Sequence, residues 1–149
     1  SDIATNFSWV HSLDRVKIAR RLNDQRPVNL SPLNICIQVN IDHDPNKSGV
    51  NIDDPAQIMD LVSQVLVLPN LKLRGLMTLP AKLDNEAENL AHAKEVFASC
   101  HKLFEMLKTN MPDDDAKFFD TLSMGMSADY PEAIKSGANI VRVGSKLFA

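Results

Sequence analysis

Residues 33–41 read LNICIQVNI, an almost continuously apolar run that is rich in β-branched side chains. A parallel strand that is covered on both faces has this kind of composition, and β-branched residues fit its pleated backbone. The segment therefore predicts a strand inside a parallel sheet, and the segments on either side are interpreted as its neighbours in that sheet.

Apolar runs of strand length alternate with stretches of helical period on both sides of this segment. Further strands are predicted at residues 7–11, 71–79, 118–124 and 139–143. Helices are predicted at residues 13–22, after Asp53-Asp54-Pro55, at 85–108 and at 130–135, and Ser12 or Asp14 is expected to cap the first of them. Strand and helix recur without hairpin turns, which predicts an α/β protein with a parallel sheet.

The composition argues against several classes of protein. The chain has 149 residues, of which 44% are hydrophobic and 23% are charged, and its formal net charge is −3. A dedicated nucleic-acid-binding protein normally carries a basic surplus, so that class is disfavoured. No apolar run approaches the ~18 residues of a membrane span, and no signal peptide is visible. We therefore expect a cytoplasmic protein with neither nucleic acid nor membrane as its partner.

Two glycine-containing turns follow the last two predicted strands. Gly125 and Ser127 come after residues 118–124, and Gly144 and Ser145 come at the end of residues 139–143. Ligands of parallel α/β folds sit at the carboxyl ends of the strands, where backbone N–H groups and hydroxyls can hold a phosphate. Each turn alone is more often only a turn, but two at consecutive strand ends favour a phosphate site.

The remaining polar candidates are less specific. Arg142 precedes the second turn and is expected to bind an anion or donate to a ring nitrogen, or else to form an ion pair with a neighbouring carboxylate. His11 is interpreted as a structural histidine, and residues 113–115 as a solvated acidic loop. Cys36 and Cys100 belong to no CxxC pair, so neither a disulfide framework nor a metal site is expected. No residue is assigned a catalytic role.

Five segments, taken in their order and spacing, are similar to one known family. They are residues 11–15 (HSLDR), 37–40 with 46–49 (IQVN and NKSG), 73–80 (LRGLMTLP), 122–127 (LSMGMS) and 141–145 (VRVGS). The chain resembles the pyridoxal phosphate homeostasis protein family, whose fold is similar to the barrel domain of alanine racemase.

The resemblance implies a (β/α)8 TIM-type barrel, the type III fold of pyridoxal phosphate proteins, with pyridoxal 5′-phosphate (PLP) at its carboxyl-end mouth. The Met126–Ser127 pair, Gly144 and Ser145 then correspond to the family's phosphate-binding residues. Arg142 corresponds to the arginine near the pyridine nitrogen, and such an always-charged donor disfavours protonation of that nitrogen.

A barrel of this kind needs ~250 residues. Residues 1–149 are therefore expected to form an incomplete barrel of about five βα units, without the amino-terminal units and the final helix. The family's Schiff-base lysine is expected before Ser1, and no lysine of this chain takes its role. An open sheet with unpaired edges and an exposed apolar inner face is expected to associate with itself.

The resemblance implies a protein of intracellular PLP homeostasis that delivers PLP to PLP-dependent apoenzymes and has no sustained catalytic turnover. One alternative is a racemase-like PLP enzyme, which requires a second proton donor. Another alternative is a small α/β domain that binds a different phosphorylated metabolite at the same two turns.

Overall fold

The computed structural model describes residues 2–41, 48–79, 85–124 and 140–141, in which helices and strands alternate. The helices are α1 (Asp2–Asn6), α2 (Val16–Gln25), α3 (Pro55–Leu66), α4 (Glu86–Thr109) and α5 (Asp113–Ala116). The strands are β1 (Trp9–Leu13), β2 (Leu33–Asn40), β3 (Val50–Asn51), β4 (Leu71–Thr78), β5 (Thr121–Met124) and β6 (Ile140–Val141). None of the helices in this part of the chain combines the length and the apolarity that a membrane crossing requires.

The strands form one parallel sheet. Their order within the described residues is β1-β2-β4-β5-β6, and the short strand β3 pairs with the end of β2. Every described pair of neighbouring strands is parallel, with helices in the connections between most of them. This arrangement confirms the predicted α/β fold with a parallel sheet. The predicted helix at residues 130–135 lies outside the described residues.

The first strand begins later than the sequence predicts. It runs over Trp9–Leu13 instead of residues 7–11, and Phe7 lies before it with 57% of its surface exposed. The sequence places Leu13 on a helical face, but Leu13 pairs with Ile37 of β2 and is buried in the sheet. An apolar residue at a strand–helix junction fits both periods, so periodicity alone does not assign it.

The first long helix lacks the predicted cap. Helix α2 begins at Val16, and its N-cap is Arg15, which makes no side-chain capping hydrogen bond. Asp14 instead accepts a hydrogen bond from the backbone N–H of Gly49 at 3.0 Å, across the sheet edge. The prediction of Ser12 or Asp14 as the cap was therefore wrong, because a long-range contact takes the Asp14 carboxylate.

The third helix follows its sequence signals closely. Asp54 is the N-cap of α3, its carboxylate accepts from the N–H of Gln57 at 3.1 Å, and Pro55 is the first helical residue. Proline fits this position because its missing N–H has no partner there in any helix. The buried side chains of α3 are Ile58, Leu61, Val62 and Val65.

The fourth strand of the sheet is shorter than predicted. It covers Thr121–Met124 and not residues 118–124, because the chain first makes α5 and a turn. The N–H groups of Phe118 and Phe119 donate to the carbonyls of Asp115 and Ala116 in α5, so neither N–H joins the sheet ladder. Phe119 is buried and stacks on Phe104 of α4 at 4.6 Å. The predicted acidic loop at residues 113–115 is thus largely a one-turn helix, although Asp114 is solvent-exposed as expected.

The core lies between the sheet and the helices. We call the sheet surface under the helices the outer face. On β2 it carries Ile35, Ile37 and Val39, each at most 2% exposed. They belong to one cluster of buried apolar side chains that includes residues of α3 and α4. Burial of this kind contributes about 1.5–3 kcal/mol for each large aliphatic side chain.

Candidate functional site

A hydrogen bond on the side of the sheet that faces away from the helices shows that the sheet is strongly curved. Nδ1 of His11 on β1 lies 3.0 Å from Oγ of Ser123 on β5. Strands β2 and β4 lie between them, so in a flat sheet the two backbones would be separated by three strand spacings, ~14 Å. Two short side chains do not span that distance. The sheet therefore curls towards a barrel wall, and both side chains project from its concave surface, which we call the inner face.

The inner face carries polar side chains beside apolar ones such as Met77. On β2 it carries Asn34, Cys36 and Gln38, which alternate with the aliphatic residues of the outer face. On β5 it carries Thr121 and Ser123, both buried. The expected apolar inner face is thus apolar only in part, and Cys36 and Met77 on it are buried. On β2 the polar residues fall on the side opposite to Ile35, Ile37 and Val39, because side chains alternate along a strand.

An arginine organises the amino-end part of the inner face. Nε and Nη2 of Arg74 donate to the two carboxylate oxygens of Asp120 at 3.2 and 2.7 Å. Nη1 donates to the side chain of Asn34 at 3.1 Å, and Nε also donates to the carbonyl of Phe118. The guanidinium carbon lies 5.0 Å from the ring centroid of Trp9, within the range of a cation–π contact. The planar fork of arginine suits such a two-pronged carboxylate contact.

The acid–base properties of Asp120 follow from these contacts. Partial burial raises the pKa of its carboxyl group. The hydrogen bonds from Arg74 and Thr121 and the Arg74 charge act in the opposite direction and prevail, so the pKa is lowered. The side chain of Asp120 remains 44% exposed, so solvent screens the ion pair. We infer that this cluster mainly orients the amino end of the inner face.

Strand β4 has one irregularity toward each of its neighbours, β2 and β5. The register between β2 and β4 shifts after Ile35 pairs with Leu73, so Cys36 lies opposite Gly75 and Arg74 is the extra residue. A Cβ atom built on Gly75 would lie 1.6 Å from the carbonyl oxygen of Thr121. Only glycine fits at this approach of β4 to β5.

The two cysteines are buried and carry protonated thiols. Burial raises the pKa of Cys36 to about 12, with a smaller opposing effect of the Arg74 charge. Burial also raises the pKa of Cys100 on α4 to about 12. Reactive cysteines are thiolates in accessible, electropositive surroundings, so both residues act here as small core side chains.

The carboxyl ends of the strands meet at one edge of the inner face. A cavity of about 220 Å³ lies there, lined by Gln38, Val39, Asn40, Ser48 and Leu79. The hydroxyl of Thr78, the last residue of β4, donates to the carbonyl of Val39 at 3.1 Å and ties the two strand ends together. Parallel α/β folds place their ligands at this edge.

The predicted cofactor residues lie outside the described residues: Met126, Ser127, Arg142, Gly144 and Ser145. The strands that lead to them are described. Strand β5 ends at Met124 and β6 ends at Val141, and these two residues pair with each other. The chain therefore enters both predicted turns from neighbouring positions at the carboxyl edge of the sheet.

Sequence reasoning missed the side-chain contacts of the inner face. His11 is bonded to Ser123 and lies with its ring edge-on to Trp9 at 5.7 Å, so it has partners that its sequence position did not reveal. Arg74 and Asp120 also went unrecognised as a pair. Their separation of 46 residues leaves no local signal, although a charged residue inside an apolar strand-length run is itself a cue.

A curved parallel sheet with helices packed on its outer face defines a protein of the α/β barrel class. Comparison with known sequences makes the assignment specific. The chain belongs to the family described as "Alanine racemase, N-terminal domain", whose model matches residues 1–149.

Curated relatives support the resemblance drawn from the sequence motifs. The chain is 45% identical over 146 residues to the pyridoxal phosphate homeostasis protein of Haemophilus influenzae, and 41% identical over 146 residues to that of Escherichia coli K12. Each match covers 98% of this chain and 57% of the relative. The chain thus spans somewhat more than half the length of these relatives.

Solved structures agree with the fold. The chain is similar to PipY of Synechococcus elongatus PCC7942 solved without PLP, with a TM-score of 0.79 and 32% sequence identity. That match covers 99% of this chain and 64% of PipY. PipY with PLP bound matches with a TM-score of 0.78 and 28% identity over 99% of this chain and 63% of PipY.

Proposed function

We propose that the whole protein binds PLP at the carboxyl edge of the inner face and serves in intracellular PLP homeostasis, without sustained catalytic turnover. The observation that carries the proposal is the likeness to PipY with PLP bound, which extends over 99% of this chain. The names of the curated relatives, at 41–45% identity, point in the same direction.

Five residues are proposed to hold the cofactor. Ser127, Gly144 and Ser145 bind the phosphate, Met126 accompanies Ser127, and Arg142 faces the pyridine nitrogen. Hydroxyls and backbone N–H groups are suitable donors to phosphate oxygens. Arginine stays charged and disfavours protonation of the ring nitrogen.

The described residues fit such a group. The inner face carries hydrogen-bonding side chains up to its carboxyl edge, and Ser123 is buried there. The strands leading to both phosphate turns are paired neighbours, so the turns start close together. PLP, when bound, supplies an electron sink for carbanion chemistry, and an arginine at the ring nitrogen weakens that capacity. This favours binding and delivery over turnover.

The proposal also covers the extent of the barrel, the Schiff-base lysine, the cellular location and the recipients of PLP. We infer that residues 1–149 form an incomplete barrel that lacks the amino-terminal units and the final helix, in keeping with coverage of 57% of the curated relatives. The Schiff-base lysine is proposed to lie in the remainder of the whole protein. The proposed location is the cytoplasm, and the proposed recipients are PLP-dependent apoenzymes.

Titration of the whole protein with PLP, followed by visible absorption and fluorescence, tests the proposal. We expect saturable binding, and we expect the double variant Ser127→Ala/Ser145→Ala to raise the Kd by at least about tenfold, because hydrogen bonds to a charged group are strong. Thr109→Ala is the control, since its hydroxyl bonds to the carbonyl of Glu105 on the exposed surface of α4. Absence of PLP binding by the unmodified protein would refute the proposal.

An alanine racemisation assay separates the proposal from its catalytic alternative. Racemisation requires a second positioned proton donor, and Tyr130 is the single tyrosine of this chain. We expect no steady racemisation by the PLP-loaded whole protein. Sustained interconversion of L- and D-alanine would instead establish a racemase.

A further inference from the structure

The hydrogen bond between His11 and Ser123 lies where the fold meets the proposed cofactor site. Ser123 is fully buried, and it is the last residue but one of β5. A buried hydroxyl requires a hydrogen-bond partner, and Nδ1 of His11 is such a partner at 3.0 Å. The bond therefore fixes the carboxyl end of β5 against the opposite wall of the curved sheet.

Ser123 is close in sequence to the first predicted turn, and its strand neighbour Ile140 is close to the second. Gly125 lies two positions after Ser123, and Ser127 lies four positions after it. On the neighbouring strand, Ile140 pairs with Ser123, and Arg142 comes two positions later. A shift of the end of β5 would therefore move the starting points of both turns together.

We propose that His11 and Ser123 are positioning residues for the PLP phosphate. Their hydrogen bond fixes the paired ends of β5 and β6, from which the chain continues to Ser127 and to Gly144–Ser145, the residues proposed to bind the phosphate. Binding sites need their donors held to within a fraction of an ångström, and supporting hydrogen bonds provide this precision. The inference rests on the proposed function. It deepens that proposal by naming the residue pair that fixes the strand ends leading to the proposed phosphate-binding residues.

The test compares two ligands that differ only in the phosphate. PLP and pyridoxal are titrated into the whole protein and into its Ser123→Ala variant. We expect Ser123→Ala to raise the Kd of PLP by about three- to tenfold, the usual effect of one lost hydrogen bond, and to change the Kd of pyridoxal by less than about twofold. A role in stability alone would not change the ratio of the two constants.

Conservative variants separate loss of the bond from loss of packing. Ser123→Thr keeps the hydroxyl and is expected to restore the ratio of the two Kd values. His11→Asn places an amide near the position of Nδ1, whereas His11→Phe keeps the ring and removes the bond. If Ser123→Ala does not fold, as judged by its Tm without ligand, the contrast between His11→Asn and His11→Phe decides. Thr109→Ala again serves as the control, because its hydroxyl donates to the carbonyl of Glu105 at 2.9 Å on the exposed surface of α4.

The outcomes distinguish this inference from the proposed function. If the unmodified protein binds no PLP, the proposed function fails and the inference falls with it. If it binds PLP while Ser123→Ala and His11→Phe keep the original Kd, the inference alone is wrong. Equal weakening of PLP and pyridoxal would also overturn it, because the pair would then not act through the phosphate.

Discussion

The two faces of strand β2 differ in composition and in what they do. Its outer face carries Ile35 and Ile37, both completely buried in the cluster shared with α3 and α4. Its inner face carries Asn34 and Gln38, which are partly exposed and make polar contacts. The outer face holds the sheet to its helices, while the inner face provides groups that bind and orient. Because side chains alternate along β2, its buried aliphatic residues and its hydrogen-bonding residues fall on opposite faces.

Substitution of adjacent residues on the two faces gives the largest expected contrast. Ile37→Ala removes a fully buried side chain and is expected to lower the free energy of unfolding by about 2–5 kcal/mol. Gln38→Ala removes a partly exposed amide whose hydrogen bond to the Ser48 carbonyl is 3.3 Å long, and is expected to cost less than about 1 kcal/mol. Urea unfolding of the whole protein measures both. Equal losses would show that the two faces contribute alike.

A smaller effect is expected where the middle strands approach each other. Gly75→Ala places a Cβ against the carbonyl of Thr121, which is backbone and cannot rotate away. We expect a loss of about 1–3 kcal/mol in the free energy of unfolding, since β4 and β5 must separate. Lys72→Ala on the same strand is the control, because the partly exposed Lys72 side chain makes a cation–π contact with Phe118 at 4.0 Å. A Gly75→Ala protein as stable as this control would contradict the role of the close approach.

The smallest effect is expected at the ion pair of the inner face, and it depends on pH. The pKa of Asp120 is lowered in the folded protein, so its charged form stabilises the fold above the pKa of the unfolded chain, and this contribution is lost as pH falls through the lowered pKa. Asp120→Asn lacks the contribution at every pH. The difference in unfolding free energy between the two proteins should therefore shrink below about pH 4.

Asp114→Asn provides the matched control for that measurement. Its side chain is 99% exposed, with Lys117 at 3.9 Å. We expect its difference from the unmodified protein to be near zero at neutral pH, because exposed pairs contribute little. A difference for Asp120→Asn that stays constant down to pH 2 would contradict the assigned lowering of the Asp120 pKa.

Sequence reasoning predicted the fold well because its signals are local. The cap at Asp54, the proline after it and the apolar stripe of α3 lie within a dozen residues of one another. Strand ends were less predictable. Leu13 suits a strand and a helix equally, and Phe118 and Phe119 look like strand residues although α5 and its turn precede them.

The candidate site was predictable only in the residues that carry family motifs. Ser127, Arg142, Gly144 and Ser145 could be assigned from short sequence motifs that resemble those of the family, and they remain predictions. His11 and Ser123 could not be paired from sequence, because their contact exists only once the sheet is curved. The polar character of the inner face follows in retrospect from alternation along each strand, combined with the side on which the helices pack.

The separation of His11 and Ser123 along the chain has a consequence for the order of folding. The two residues are 112 positions apart. Closing so long a loop early costs much chain entropy, and parallel pairings are slow for the same reason. The bond can close only after β2 and β4 have paired between its two strands and have bent into a wall. We therefore expect this bond to form late in folding, after the strands between its partners have paired.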